Sequence, residues 1–259
     1  MSSNKESFGK TVGFVFAVCI VCAALVSIAA SGLKDKQVTN KLLDQQTKIL
    51  EASGLLSMTD GTPFSIKETY GKFVEAKMID LDSGEFIDGD PLLFDERRNS
   101  RDATKSEKPE NDMAGINRRS HDAVIYIVRN GAGTVDTVVF PIVGSGLWDL
   151  MYGYVGLEAD LNTVKSVVYS DHKETPGLGA EVMNPKWKAK WPGKKIYNEQ
   201  GEAAVNLVKG GAKAGDINGV DALSGATLTS NGVTRTLQFW FGKEGYLPFI
   251  TKHNDGGLI

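Results

Sequence analysis

Cysteine is nearly absent from this 259-residue chain. The two that occur, Cys19 and Cys22, both lie in one apolar stretch near the N-terminus. Their scarcity excludes a disulfide framework and, outside that stretch, a thiolate metal site or a cysteine-held iron–sulfur cluster. The three histidines, His121, His172 and His253, are far apart and lack the spacing of metal ligands. We therefore expect no metal site.

Two nucleotide-binding signatures and a basic excess are also missing. No Gly-x-Gly-x-x-Gly run follows a predicted strand and no P-loop occurs, so no cradle for a dinucleotide or for ATP is recognisable. The chain has 29 lysines and arginines against 32 aspartates and glutamates, a formal net charge of −3. That balance gives no sign of a nucleic-acid partner. We expect neither NADH oxidation nor ATP hydrolysis by this chain alone.

The chain does have a long apolar run near its start. Thr11–Ser31 contains no charged residue and has the length of about 20 residues that a helix needs to cross a bilayer. A cleaved signal peptide is the alternative, with a passable site at 27–29, but its apolar part usually spans about 7–15 residues. We favour a retained anchor, with residues 1–10 as a cytoplasmic N-terminus and 11–33 as the transmembrane helix. Lysines on both flanks leave the orientation open.

The rest of the chain carries the patterns of one mixed domain. Strand patterns occur at 124–128 and 164–169, and alternating apolar residues at 135–139 follow a hairpin signal at Asn130-Gly131. Neighbouring strands that short turns join favour antiparallel pairing. The predicted fold class is α+β, with one N-terminal transmembrane helix followed by a domain, residues 34–259, that has a largely antiparallel sheet and flanking helices.

Residues 95–119 interrupt these patterns. They are polar, dense in charges of both signs and poor in apolar residues. We expect a solvated, charged loop, and a docking surface for a partner is the alternative.

A turn of small residues precedes the last strong helical pattern. Ser224, Gly225, Ala226 and Thr227 lead directly into a stretch whose apolar residues fall on one helix face. The residues of that face are Val233, Leu237, Trp240 and Phe241. The Thr227 hydroxyl is thus predicted at or near a helix N-terminus, where free N–H groups and the helix dipole attract a phosphate. A tight turn with Thr227 or Thr229 as N-cap is the alternative.

The stretch Asp221–Thr227 resembles the flavinylation motif of proteins that carry FMN on a threonine through a phosphoester. In that family a flavin transferase moves the FMN group from FAD to the threonine. The resemblance implies attachment at Thr227, with Ser224, Gly225 and Ala226 as its neighbours in the FMN site.

A second stretch, His172–Gly179, resembles the other signature of the FMN-binding domain family. The resemblance implies that a run of six residues lies against the flavin: Glu174, Thr175, Pro176, Gly177, Leu178 and Gly179. The glycine- and aromatic-rich segment 144–154 supplies Leu147 and Trp148 as further candidates. Its glycines suit a flexible backbone around a planar ring, and the alternative is a β-turn with core aromatics. The alternative for His172–Gly179 is a surface turn.

The chain resembles the NqrC family of the Na⁺-translocating NADH:quinone reductases. The resemblance rests on these segments, on 184–187 and 191–194, and on the layout of one anchor followed by one flavin domain. The resemblance implies an electron carrier with covalent FMN in a six-subunit pump. Electrons arrive from the NADH-oxidising subunit and continue to a membrane-embedded flavin and then to quinone. It also implies maturation by the flavin transferase and a flavin domain on the periplasmic side of a bacterial inner membrane.

Other functions remain open from the residues. The homologous RnfG proteins of Rnf-type ion-translocating complexes share both motifs, and a membrane-anchored flavin-domain protein without catalysis is a further alternative. So is a binding or structural domain without a cofactor. A hydrolase with Ser224 or Thr227 as nucleophile needs a base such as His172 nearby and a Gly-x-Ser-x-Gly elbow, which is missing.

Overall fold

The structure is a computed structural model that describes residues 8–254. Most of the predicted cytoplasmic N-terminus, residues 1–10, therefore lies outside the described residues. The chain divides into two units, residues 1–44 and 45–259.

The first unit belongs to one long helix, α1, which spans Phe8–Ala52 and has 45 residues. Between residues 8 and 254 it is the one helix long and apolar enough to cross a membrane. The side chains of its apolar stretch are exposed. The helix continues far beyond the predicted span of 11–33, because no proline or helix-ending turn follows that span.

The second unit contains the other helices and all the strands of the described chain. The helices are α2 (Pro63–Phe73), α3 (Glu96–Asn99), α4 (Pro185–Lys188), α5 (Thr227–Trp240) and α6 (Leu247–His253). The first strands are β1 (Val74–Asp80), β2 (Phe86–Ile87), β3 (Ser106–Glu107), β4 (Arg119–Ser120) and β5 (Asp122–Arg129). The others are β6 (Val135–Ser145), β7 (Leu150–Glu158), β8 (Val164–Asp171), β9 (Asn206–Val208) and β10 (Gly219–Asp221). Short 3₁₀ turns cover Leu55–Met58 and Gly179–Met183.

The main sheet has six strands in the order β2-β1-β5-β6-β7-β8, and every neighbouring pair is antiparallel. The predicted hairpin at Asn130-Gly131 joins β5 to β6, and the Asn130 side chain accepts N–H bonds from Ala132 and Thr134. The predicted α+β class with a largely antiparallel sheet is confirmed.

Both faces of this sheet are buried, and each has its own apolar cluster. Successive side chains of a strand point to opposite faces, so a strand such as β5 contributes to both clusters. One face packs against α5 and α6, with Ile125, Ile127, Phe140, Val155, Val233 and Leu237 in the shared core. The other face packs against the end of α1 and α2, with Val124, Tyr126, Val128, Val139, Ile49 and Ala52. The burial of both faces explains why β5 is apolar without alternation.

Strand β7 has no clear strand pattern in the sequence, because glycines replace two of its side chains. A Cβ at Gly156 would lie 2.1 Å from the Ala52 carbonyl oxygen, and one at Gly153 would lie 2.7 Å from the Val168 oxygen. The glycines at these positions allow close backbone approach, so they belong inside the sheet.

Residues 95–119 are polar and about half of them are exposed, but they contain α3 and β3 and end in β4. The Arg119 side chain is 2% exposed. It forms ion pairs with Asp82 and Glu107 and donates a 2.7 Å hydrogen bond to the Glu244 carbonyl oxygen. One buried guanidinium thus ties this segment to two other parts of the domain.

Helix α5 packs very close to the end of β6, and glycines on both elements make that possible. A Cβ at Gly144 would lie 1.9 Å from the Thr236 hydroxyl oxygen, and one at Gly232 would lie 2.2 Å from the Ser145 carbonyl oxygen. The close packing sets the N-terminal half of α5 beside the turn that follows β6.

Candidate functional site

Helix α5 begins at Thr227, as predicted, and its predicted apolar face is buried. Thr227 is exposed, and the N-cap residue Ala226 makes no side-chain hydrogen bond to the helix. Neither Thr227 nor Thr229 is the N-cap, so that alternative is wrong. The first N–H groups of a helix have no partner within it, so they remain available to a ligand next to the Thr227 hydroxyl.

The turn before α5 is fixed from both sides. Gly225 has a φ of +72°, a left-handed conformation that favours glycine. Asp221 accepts 2.5 Å and 2.8 Å hydrogen bonds from Lys190 Nζ and the Ala212 N–H, and these contacts lower its carboxyl pKa. The Trp187 indole donates a 2.9 Å bond to the Asp221 carbonyl oxygen. These contacts anchor the end of β10, from which the turn leads to Thr227.

The run from residue 174 to 179 is mostly a surface turn. Thr175, Pro176, Gly177 and Leu178 are exposed, and Gly177 has a φ of +76° with open space beside it. Leu178 lies next to the other motif, because a Cβ at Gly225 would be 3.0 Å from Leu178 Cδ2.

The two ends of that run are buried instead. Glu174 is 5% exposed, and its carboxylate faces inward to Leu147, Trp148 and Thr229. Gly179 is buried against Glu174 and Thr229. The candidate residues thus separate into an exposed set and a buried set that supports it.

The turn between β6 and β7 carries Leu147 and Trp148. It is a tight turn, as one alternative for this segment proposed, but Trp148 is not a core residue, since 67% of it is exposed. Its indole Nε1 donates a 3.1 Å hydrogen bond to the Thr175 hydroxyl. This bond connects the turn to the exposed run.

Four exposed apolar side chains lie on the three segments that the contacts of Glu174, Trp148 and Leu178 join, and we call them the apolar patch. They are Leu147 (47% exposed), Trp148 (67%), Leu178 (44%) and Leu228 (58%). Exposed apolar residues grouped in this way mark a ligand or partner surface.

An open cavity of about 380 Å³ lies between the two motifs. Its lining comes from both motifs and from the α4 region: Gly177, Glu181, Asn184, Lys186, Trp187, Lys190, Ala222, Leu223 and Ser224. Each motif thus contributes to the lining of this cavity, and residues 181–190 contribute the rest, including two lysines.

The geometry does not favour a hydrolase. His172 Nδ1 accepts a 3.2 Å hydrogen bond from the Glu174 N–H, and within residues 8–254 no hydrogen bond joins His172 to Ser224 or Thr227. His172 thus does not make the contact between base and nucleophile that a hydrolase would need.

Comparison with known proteins agrees with this geometry. The family model described as the FMN-binding domain matches residues 146–242, a range that contains both motifs and the apolar patch. NqrC of Vibrio anguillarum, from its Na⁺-translocating NADH-quinone reductase, is 45% identical over 260 residues, with all of both chains covered. The chain belongs to the NqrC family. The resemblance seen in the sequence is confirmed.

Other members of the NqrC family support the assignment. The Yersinia pestis protein is 44% identical over 98% of this chain and 96% of its own. The crystal structure of Shewanella oneidensis NqrC has 39% identity and a TM-score of 0.78, covering 84% of this chain and 98% of that one. The crystal structure of the Parabacteroides distasonis member has 28% identity and a TM-score of 0.67, covering 85% and 97%.

The structure adds residues that the motifs did not reveal. Leu228 is an exposed apolar residue about 140° around α5 from the buried Val233. An apolar residue off the buried face of a helix is a signal in the sequence that could have identified Leu228. No signal in the sequence indicates that Lys190 and Thr229 support the site, because their partners Asp221 and Glu174 are distant in sequence.

Proposed function

We propose that this chain is the electron-relaying NqrC protein of a Na⁺-pumping NADH:quinone reductase and that it carries FMN on Thr227 through a phosphoester. The observation that carries the proposal is the exposed Thr227 hydroxyl at the uncapped start of α5, inside the flavinylation motif and beside the apolar patch.

The residues at Thr227 fit the phosphate end of FMN. The free N–H groups and dipole of a 14-residue helix favour an anion at this point. Lys186 and Lys190 line the adjoining cavity, and because Lys190 pairs with Asp221, the added positive charge comes from Lys186. Gly225 takes the left-handed conformation that the turn before the threonine requires.

The apolar patch fits the ring end. A flavin ring is planar and largely apolar, and Leu147, Trp148, Leu178 and Leu228 offer uncovered apolar surface of that kind. Thr175, Pro176 and Gly177 provide exposed backbone beside it. The buried Glu174 and Gly179 lie beneath this surface, where Glu174 accepts hydrogen bonds from the Leu147 and Trp148 N–H groups.

Bound FMN supplies one- and two-electron redox chemistry. The protein's own part is to hold the cofactor at a fixed place and to tune it through nearby charge and hydrogen bonds. The chain has no recognisable site for NADH, so we assign NADH oxidation to another protein of the six-subunit complex. A covalent tether keeps the cofactor in place where free flavin is scarce.

The proposal includes a membrane anchor and partners. The apolar part of α1 supplies a single span, and residues 34–259, the rest of α1 and the flavin domain, lie on the periplasmic side of the inner membrane. The partners are the other proteins of the complex and a flavin transferase that attaches FMN. A single span without an internal charge offers no Na⁺ path, so ion transport belongs to the assembly.

Thr227→Val in the assembled complex tests the relay role. We expect NADH oxidation by an artificial acceptor to continue, because that acceptor takes electrons upstream, while quinone reduction falls to background. Thr234→Val is the matched control, since Thr234 lies on the same helix and its hydroxyl accepts from the Leu207 N–H. Quinone reduction and Na⁺ transport at the normal rate without this FMN would make the chain a structural component instead.

A further inference from the structure

Glu174 connects three segments of the site through one carboxylate. Oε1 accepts 2.8 Å and 3.1 Å hydrogen bonds from the N–H groups of Leu147 and Trp148. Oε2 accepts a 2.5 Å bond from the hydroxyl of Thr229, two residues after Thr227. The carboxylate therefore joins the β6–β7 turn to the start of α5.

The surrounding backbone is shaped to admit this carboxylate. A Cβ at Gly146 would lie 2.4 Å from Glu174 Oε1, and one at Gly179 would lie 2.3 Å from Oε2. Neither glycine has a positive φ, so close approach and not conformation explains both.

The described part of the chain gives the carboxylate no positive partner. No lysine, arginine or histidine within residues 8–254 forms an ion pair with it, and its sequence neighbour Lys173 pairs with Asp149 instead. Two N–H groups and one hydroxyl satisfy its oxygens without cancelling its charge. A buried charge compensated only by dipoles acts strongly on its surroundings, because little water screens it.

We propose that Glu174 is a positioning residue that also sets the redox potential of the site. Its hydrogen bonds hold the Thr227 end of α5 against the turn of Leu147 and Trp148, and its uncompensated negative charge opposes the arrival of electrons there. The inference rests on the proposed function, since the electrons are those taken up by FMN on Thr227.

Glu174→Gln separates the charge from the hydrogen bonds. The amide oxygen can still accept from the two N–H groups, and the amide nitrogen can donate to Thr229. We expect normal FMN attachment and a more positive midpoint potential. At the wild type's midpoint, the ratio of reduced to oxidised FMN should rise roughly threefold or more.

Thr229→Val makes the opposite change. It keeps the charge but removes one donor that disperses it, so we expect a small shift to a more negative potential. Thr236→Val is the matched control, because Thr236 is an equally buried threonine of α5 whose hydroxyl bonds the Gly232 carbonyl. We expect its potential to equal that of the wild type. Packing damage alone would shift the midpoint potential of both threonine variants alike.

The measurement is a redox titration of the purified full chain, flavinylated by co-expressed transferase and followed by visible absorbance. A positive shift in Glu174→Gln with a negative shift in Thr229→Val supports the proposal. Wild-type potentials in both variants overturn it. If Glu174→Gln does not fold, an unchanged potential in Thr229→Val overturns it. A wild-type chain without FMN would refute the proposed function itself, which is a different result.

Discussion

The indole Nε1 of Trp148 donates a 3.1 Å hydrogen bond to the Thr175 hydroxyl, which ties a largely exposed tryptophan to the run of residues 174–179. An exposed indole is normally free to change rotamer, so this bond pre-organises an aromatic surface. It also couples two segments that are 27 positions apart in the chain.

We expect Trp148→Ala to change the visible circular dichroism of bound FMN, because the aromatic surface beside the ring is lost. Thr175→Val should give a smaller change in the same direction, since the indole remains but is no longer held. Both positions are exposed, so the free energy of unfolding should move by only about 0.5 kcal/mol. Phe64→Ala, which removes an exposed aromatic from α2, is the control. An unchanged spectrum in Trp148→Ala would exclude the indole from the ring site.

Gly177→Val should perturb both stability and the flavin. The φ of +76° is strained for valine and costs about 1–3 kcal/mol. Gly133→Val is a matched control, with a φ of +83°, open space beside it and a place in the β5–β6 turn. We expect similar losses of stability by chemical unfolding, but altered flavin absorbance or potential in Gly177→Val alone. Identical flavin properties in both variants would contradict a role for Gly177 at the ring.

The Glu96 carboxyl should make the domain less stable as pH rises from about 4.5 to 7. Burial raises the pKa of Glu96 to about 7, with a further increase from Asp95, so the folded state favours the protonated acid. The unfolded chain releases this proton at lower pH, and the difference amounts to a few kcal/mol at most, on the order of 2.

Glu96→Gln removes that titrating group. We expect a flatter dependence of the unfolding free energy between pH 5 and pH 8, with the variant more stable than the wild type at pH 8. Urea unfolding at both pH values measures this, and Glu199→Gln, at an exposed carboxylate, is the control. An unchanged slope in Glu96→Gln would assign the pH dependence to other groups.

The topology has a direct test. Ala132→Cys places a thiol at the exposed β5–β6 turn, in a background where Cys19 and Cys22 are replaced by alanine. We expect a membrane-impermeant maleimide to label it in intact spheroplasts as fully as after lysis. Labelling that requires lysis would place the flavin domain in the cytoplasm.

The sequence allowed prediction of those parts of the site that local chemistry determines. The start of α5 at Thr227 follows from a small-residue turn before a helical apolar face, and the β5–β6 hairpin follows from Asn130-Gly131. The burial of Glu174 next to the exposed Thr175 and Leu178 could not be predicted. It depends on Thr229, which comes from a distant segment.

The same limit explains the misread parts of the fold. Strand β7 gave no alternating pattern, because close approach by Ala52 requires glycine at position 156. Arg119 looks like a solvated charge in a polar segment, and its burial depends on Asp82, Glu107 and Glu244. Long-range partners, not local propensity, decide these positions.

The attachment of FMN to Thr227 is the central claim, and tandem mass spectrometry tests it most directly. The chain is co-expressed with a flavin transferase and digested with trypsin, which releases residues 214–235 as one peptide. That peptide contains other hydroxyls, including Ser224 and Thr229, so fragment ions must locate the modification. We predict the mass of FMN less one water on Thr227, and its loss in Thr227→Val. An unmodified peptide, or FMN on any other residue, would contradict the account.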